Sequence, residues 1–178
     1  NRKQPGLRPQ HLTAAQAIVR ITNAQMGGAF LHSQNLSFIP DQPHAGRYRF
    51  DIPTAGALTL VLQTIFLPLC FAKGGSEVIL SGGTHVPYSP IFHYISELWL
   101  PCMKSLGFRA AFQLHKAGFY PRGGGDVLLK VHAPHALQPF KAIERGLLTQ
   151  IRGISGVANL DENIARRQKH QALRRLRP

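Results

Sequence analysis

Apolar residues recur every third or fourth position from Gln10 to about Asn23, at Leu12, Ala15, Ile18 and Val19. That period predicts a helix with one buried face, and Pro9 in front of it suits a helix start. Gly27 and Gly28 end the pattern, and the apolar stretches 29–31 and 36–39, with His32, Ser33 and Gln34 between them, predict a short hairpin. A turn-rich stretch, 40–46, leads to a strand over 47–52 and then to a long apolar run over 55–72. Thr59, Gln63, Thr64 and Pro68 interrupt that run, and it barely reaches spanning length, so it predicts a buried helix and no membrane span. A strand follows over 77–80. Gly82, Gly83, Pro87 and Pro90 make a loop, and Ile91, Tyr94, Ile95, Leu98, Trp99 and Leu106 trace one face of a third helix that Gly107 ends. Two further strands, near 108–114 and 127–132, flank a turn made from Gly118, Pro121 and Gly123 to Gly125, and another strand is predicted over 147–152.

Residues 47–132 therefore read strand, helix, strand, helix, strand, strand. The residues before them supply only a helix and two strands, the closing part of the same order, so the chain is expected to start partway through a repeated unit. Beyond residue 152 the only periodic feature is Ile164, Leu173 and Leu176, set among six Lys or Arg from Arg166 to Arg177. This predicts a basic helix without a partner in the chain. Its charge fits a solvated face, the start of a truncated domain or a grip on nucleic acid.

At 178 residues the chain has room for one ordinary domain with a real core, and at 44% hydrophobic and 16% charged it is neither disordered nor fibrous. Against 21 Lys and Arg stand 8 Asp and Glu, a formal charge of +13, which favours a polyanionic partner. The two cysteines, Cys70 and Cys102, lie in apolar stretches without metal-type spacing. A reduced, intracellular compartment is the simplest expectation, and the cytoplasm is the assigned location. No basic-then-apolar leader opens the chain, and it begins with Asn1, which predicts a processed or clipped sequence.

Three segments carry unusual local chemistry. The opening Arg2-Lys3-Gln4-Pro5-Gly6-Leu7-Arg8-Pro9-Gln10-His11-Leu12 sets cations just before a helix N-terminus, where backbone N–H groups and the helix dipole favour an anion; a charged, mobile chain end is the other reading. Thr54-Ala55-Gly56 opens the long helix, with Thr54 placed to cap it and Gly56 to let backbone or ligand approach. Within that helix Gln63 must find partners if it is buried: backbone groups, a metal-bound water or a nucleotide oxygen. Ser81-Gly82-Gly83-Thr84-His85-Val86-Pro87-Tyr88-Ser89-Pro90 lies between strand and helix, and Gly123-Gly124-Gly125 between two strands. Neither has the residues of a Walker or dinucleotide fingerprint, and the tripled glycine reads as a tight bend rather than a phosphate cradle. No pair among the nine histidines has zinc-type spacing, and the 8 carboxylates form no paired acid and base.

These segments, in this order, resemble the RNA 3'-terminal phosphate cyclase family: Pro5 to Leu12, Thr54-Ala55-Gly56 through Leu60-Val61-Leu62-Gln63-Thr64, Ser81-Gly82-Gly83-Thr84, and Gly118-Phe119-Tyr120-Pro121-Arg122-Gly123-Gly124-Gly125. The resemblance extends from Arg2 to about Arg152. It implies an α/β (α+β) fold in which a large domain repeats a four-stranded sheet with two helices, truncated here. Residues 1–142 would hold the end of the first repeat and all of the second, and 143–178 the start of an inserted small domain. The implied activity converts an RNA 3'-phosphate to a 2',3'-cyclic phosphate, with ATP and a divalent metal (Mg or Mn), by way of enzyme-AMP and RNA-adenylate intermediates.

By the same resemblance Gln63 stands near the nucleotide phosphates and the metal, and Pro90 against the adenine. Arg2 and Gln10 handle the phosphate of RNA or ATP, and His11 is structural. The nucleophilic histidine would lie in a third repeat beyond Pro178, so no histidine here takes its place, and the chain alone is expected to be inactive. His85 stands where relatives usually have Asp or Asn, and Ile91 and Phe92 replace smaller or polar residues. The alternatives are a noncatalytic relative serving ribosomal RNA processing and, further off, a standalone basic RNA-binding module.

Overall fold

In the computed structural model, which describes residues 5–134 and 136–176, the N-terminal periodicity forms helix α1 (Pro9–Thr22). Its first turn is closed by a side chain, because the Arg8 backbone N–H donates to His11 Nδ1 at 3.1 Å. Strand β1 (Gln25–Gly27) then pairs antiparallel with β2 (Ser37–Ile39), Gln25 opposite Ile39. The hairpin thus differs from the predicted one: its first strand is 25–27 and not 29–31. The reason lies in the backbone of the following loop. His32 N–H donates to Leu7 C=O and Leu7 N–H to Ser33 C=O, so this stretch bonds to the segment before α1 and leaves Phe30 and Leu31 exposed.

The alternation that follows builds one open sheet, in the order β3-β4-β6-β5, from β3 (Arg47–Asp51), β4 (Ser76–Gly82), β5 (Arg109–Lys116) and β6 (Gly125–His132). β3 and β4 run parallel, with Phe50 opposite Leu80, and are joined by helix α2 (Leu58–Phe71). β6 enters antiparallel between β4 and β5, with Gly82 opposite Gly125 and Ala110 opposite Val131. A second helical run crosses from β4 to β5: α3 (Phe92–Tyr94), a π-type stretch (Ile95–Trp99) and α4 (Leu100–Ser105). Four strands and two helical segments thus make the expected unit, and the mixed α/β fold class holds.

Strand alternation decides which face the helices cover. Val78, Leu80, Val127, Leu129, Val131, Ala110 and Phe112 all point to one side and meet Leu58, Val61, Leu62, Ile65, Phe66 and Leu69 of α2. Ala17 and Ile21 of α1 join the same core. Phe66 packs edge-on against Trp99 at 4.6 Å and Phe108 at 5.8 Å between ring centroids. Each such side chain taken fully out of water contributes about 1.5–3 kcal/mol, which explains why α2 tolerates Pro68 near its C-terminal end. The opposite sheet face is mixed: Ile79 stands opposite Leu128, and beside them Ser81 Oγ donates to Asp126 Oδ2 at 3.1 Å and Arg49 is bonded to Ser81 and Asp51.

The chain divides into two compact units, residues 1–140 and 141–178. In the second, helix α5 (Glu162–Leu176) buries none of its residues, but Leu173 and Leu176 share a shallow depression with Leu148 and Ile151, and Ser155 Oγ donates to Ala165 C=O. The predicted strand over 147–152 does not form. A strand needs a neighbouring backbone to bond, and among the described residues of this unit there is none. No helix among the described residues is long and apolar enough to cross a membrane.

Candidate nucleotide and phosphate site

Three loops meet at one end of the sheet. β3 and β4 both end there, and so do the end of β5 and the start of β6, because β6 runs against its neighbours. Loops 52–57, 83–91 and 117–124 are therefore neighbours, and loops at the carboxyl ends of parallel strands are where open α/β sheets place ligands. Backbone bonds hold them together. Gly83 N–H donates to Gly56 C=O at 2.8 Å and Leu58 N–H to Gly83 C=O at 3.0 Å, while Thr84 and His85 N–H both donate to Gly118 C=O. The Thr84 hydroxyl, in turn, accepts from Gly118 N–H at 2.8 Å.

Glycine is required where the loops touch. Gly123 has φ +70°, and a Cβ on it would stand 2.9 Å from both Ala55 Cα and Thr54 O; a Cβ on Gly118 would stand 2.3 Å from Gly125 N. With Gly123 N–H donating to Phe119 C=O at 2.7 Å, the tripled glycine is a tight bend, as predicted.

The start of α2 is anchored from α1. Gln10 Oε1 accepts from Ala57 N–H at 2.7 Å, supplying the side-chain acceptor that the helix N-terminus lacks. This corrects the expected role of Thr54. The helix begins three residues later than its apolar run, and Thr54 Oγ1 accepts from Gly56 N–H at 3.2 Å within the preceding turn. On the inner face of α2, Thr59 is fully buried and its hydroxyl donates to Pro90 C=O at 2.7 Å. One turn further along, Gln63 is exposed. Burial therefore does not oblige its amide to find a protein partner.

Next to this contact lies a cluster of rings. His85 Nε2 and His93 Nδ1 are 2.9 Å apart, Phe119 stacks on His85 at 5.2 Å and 22°, and His85 Nδ1 is 2.7 Å from Thr84 Oγ1. Burial, and secondarily the His93 imidazole, hold the His85 pKa below its ordinary value. Among the described residues no group of three or more His, Cys, Asp or Glu could hold a metal ion.

The family model described as RNA 3'-terminal phosphate cyclase matches residues 1–170. The chain belongs to the RNA 3'-terminal phosphate cyclase family. It is 45% identical over 183 residues to the RNA 3'-terminal phosphate cyclase of Nostoc punctiforme, covering 99% of this chain and 53% of that protein. The protein of the same name from Methylococcus capsulatus is 45% identical, with 96% of this chain and 50% of that one covered. That of Staphylothermus marinus is 43% identical, with 96% and 48% covered. The chain thus spans about half the length of the curated relatives it matches.

Gln63 and Pro90 both neighbour Thr59, one through the helix turn and the other through the hydroxyl. Gln10 spends its carbonyl on α2, and its NH2 is a donor, the polarity a phosphate oxygen needs. Arg2 lies outside the described residues. Sequence reasoning assigns no site role to Thr59, Thr84 or His93. Thr59 had a signal, since it is a polar residue one turn before Gln63 in an apolar helix. His93 had none, because its partner His85 is eight positions away across a loop.

Proposed function

We propose that the protein to which this chain belongs converts RNA 3'-phosphate ends to 2',3'-cyclic phosphates with ATP, and that this chain contributes nucleotide-binding surface. The observation that carries this reading is the Thr59 to Pro90 hydrogen bond, which fixes the loop bearing Pro90 beside the helix bearing Gln63. A proline face can pack on adenine, and an exposed amide can meet phosphate oxygens or a metal-bound water. Their neighbourhood supports one ligand spanning both. Gln10 and Arg2 are assigned to the phosphates of RNA or ATP.

The donors present suit the implied cofactors in part. The amide oxygen of Gln63 is a hard ligand of the kind Mg2+ or Mn2+ accepts, usually alongside nucleotide phosphates and water. ATP, when bound, supplies an activated phosphoryl linkage. This chain's residues bind and orient, and the nucleophilic histidine is assigned to the rest of the protein. RNA carrying a 3'-phosphate is the polyanion that the net charge of +13 favours, and the cytoplasm is its proposed setting.

The test is adenylylation of the complete protein with labelled ATP. An acid-labile AMP adduct is expected, reduced roughly tenfold or more in Gln63→Ala if its amide meets a charged oxygen. An undiminished adduct would remove Gln63 from the site, and no adduct at all would favour the noncatalytic, RNA-processing reading.

A further inference from the structure

The His85 and His93 pair is not used by that reading. Its two ring nitrogens converge across a loop: His85 leaves the sheet end, the chain runs out through Tyr88, 105% exposed with φ +61°, and returns through Pro90 to His93 on α3. Both rings are partly buried and held from other directions. His85 lies against Phe119 and touches Thr84, while His93 stands edge-on to Phe92 at 5.4 Å. Nitrogens 2.9 Å apart have the separation of cis ligands about 2.0 Å from a tetragonal ion, and the two rings, which now point at each other, would turn by a few tens of degrees to aim both lone pairs at it. A tetrahedral ion would need them ~3.3 Å apart, a shift of a few tenths of an ångström.

We infer that His85 and His93 chelate a borderline divalent transition-metal ion, Cu2+ or Zn2+, through Nε2 of His85 and Nδ1 of His93. Imidazole nitrogen selects such ions over Mg2+, which prefers oxygen, so this site is chemically distinct from the metal assigned to the nucleotide. Among the described residues these two nitrogens are the donor set, and water fills the remaining positions.

The proton inventory closes. The pair shares one N–H between its facing nitrogens, and a metal must replace that proton with a lone pair from each ring. Thr84 makes this possible. Its hydroxyl lies 2.7 Å from His85 Nδ1 and 3.2 Å from Gly118 C=O. Donating to Nδ1, it suits the tautomer with a proton on Nε2. Turned to Gly118, it accepts from Nδ1–H and frees Nε2. Each neutral ring keeps one proton throughout. A ligating histidine almost always donates its far ring N–H to an oxygen acceptor that fixes its tautomer, and the Thr84 hydroxyl is placed to be that acceptor for His85. Coordination would fasten both ends of the loop that carries Pro90.

Chelator-treated intact protein, titrated with Zn2+ by calorimetry, is expected to bind one equivalent. Losing an outer partner alone costs metal sites about 10–100-fold, so His85→Asn and His93→Gln should each weaken binding at least about tenfold. The exposed His115→Asn should not. Unchanged affinity in either pair variant, or no saturable binding in the wild type, overturns the inference. Cu2+ paramagnetic resonance on the wild-type protein decides independently of variant folding: coupling to two imidazole nitrogens supports it, and fewer than two overturns it. Neither readout depends on cyclase activity, so its failure leaves the nucleotide reading standing.

Discussion

The hydroxyl of Thr59 donates to the carbonyl of Pro90 at 2.7 Å, and Thr59 is completely buried. This bond ties α2 to the Pro90 end of the loop that crosses from β4 to α3, whose Gly83 end accepts from Leu58 N–H. Thr59→Val keeps the shape and removes the donor, leaving the Pro90 carbonyl without it. The expected loss is about 1–3 kcal/mol of stability, read from the urea midpoint, with Thr59→Ser close to wild type. In the complete protein, Thr59→Val should also weaken ATP binding, because Pro90 is no longer fixed. Unchanged stability would mean the bond contributes nothing.

Gln10 makes the corresponding tie between α1 and α2, through its acceptance from Ala57 N–H at 2.7 Å. Gln10→Leu should cost about 1–2 kcal/mol by leaving that N–H unpaired. Gln10→Glu retains the acceptor and adds a negative charge at a helix N-terminus, so its melting temperature should stay near or above that of the wild type at pH 7. If Leu and Glu behave alike in thermal denaturation, the cap is not what Gln10 provides to the fold.

Much of the fold could be read in the sequence because it rests on local patterns. The alternation in 127–132 and the apolar period of 58–71 each follow from which side faces the core. The misreadings have a shared cause. Residues 29–31 and 147–152 are apolar enough for strands, but strand formation depends on a distant partner, and their own residues do not encode one. The start of α2 reads too early in the sequence because Thr54 is a good local cap, whereas the acceptor used comes from Gln10, 47 positions from Ala57. At the site, Gln63 and Pro90 came from resemblance. The His85 and His93 contact depends on a loop closing on itself, which no spacing rule captures.

Gly123 and Gly124 separate two reasons for glycine. Both lie in the left-handed region, at φ +70° and +67°, but a Cβ on Gly123 would press on the backbone of Thr54 and Ala55 whereas one on Gly124 would meet nothing within 4 Å. Gly124→Ala should cost about 1–2 kcal/mol for conformation alone. Gly123→Ala should cost about 1–3 kcal/mol more for overpacking against the neighbouring loop. Equal losses in denaturant titrations would show that the 54–55 loop yields freely.

The two cysteines should behave oppositely. Cys102 is exposed and Cys70 fully buried in the core, where burial pushes its thiol up to about 12. A thiol reagent at pH 8 should therefore modify one group per native chain and two after denaturation, since the reactive form is the thiolate. The same burial makes a stability argument. Between the ordinary thiol value of 9.0 and about 12, the unfolded chain loses the Cys70 proton and the folded chain keeps it. The contribution is fully present below 9.0 and is lost as pH rises through that window. Tyr48, raised by burial against an opposing effect of Arg20, adds a loss of the same sign above 10.0. The difference between wild type and Cys70→Ala isolates the cysteine: denaturant midpoints followed from pH 8 to 11 should fall more steeply for the wild type. Parallel curves would place the Cys70 thiol in contact with water.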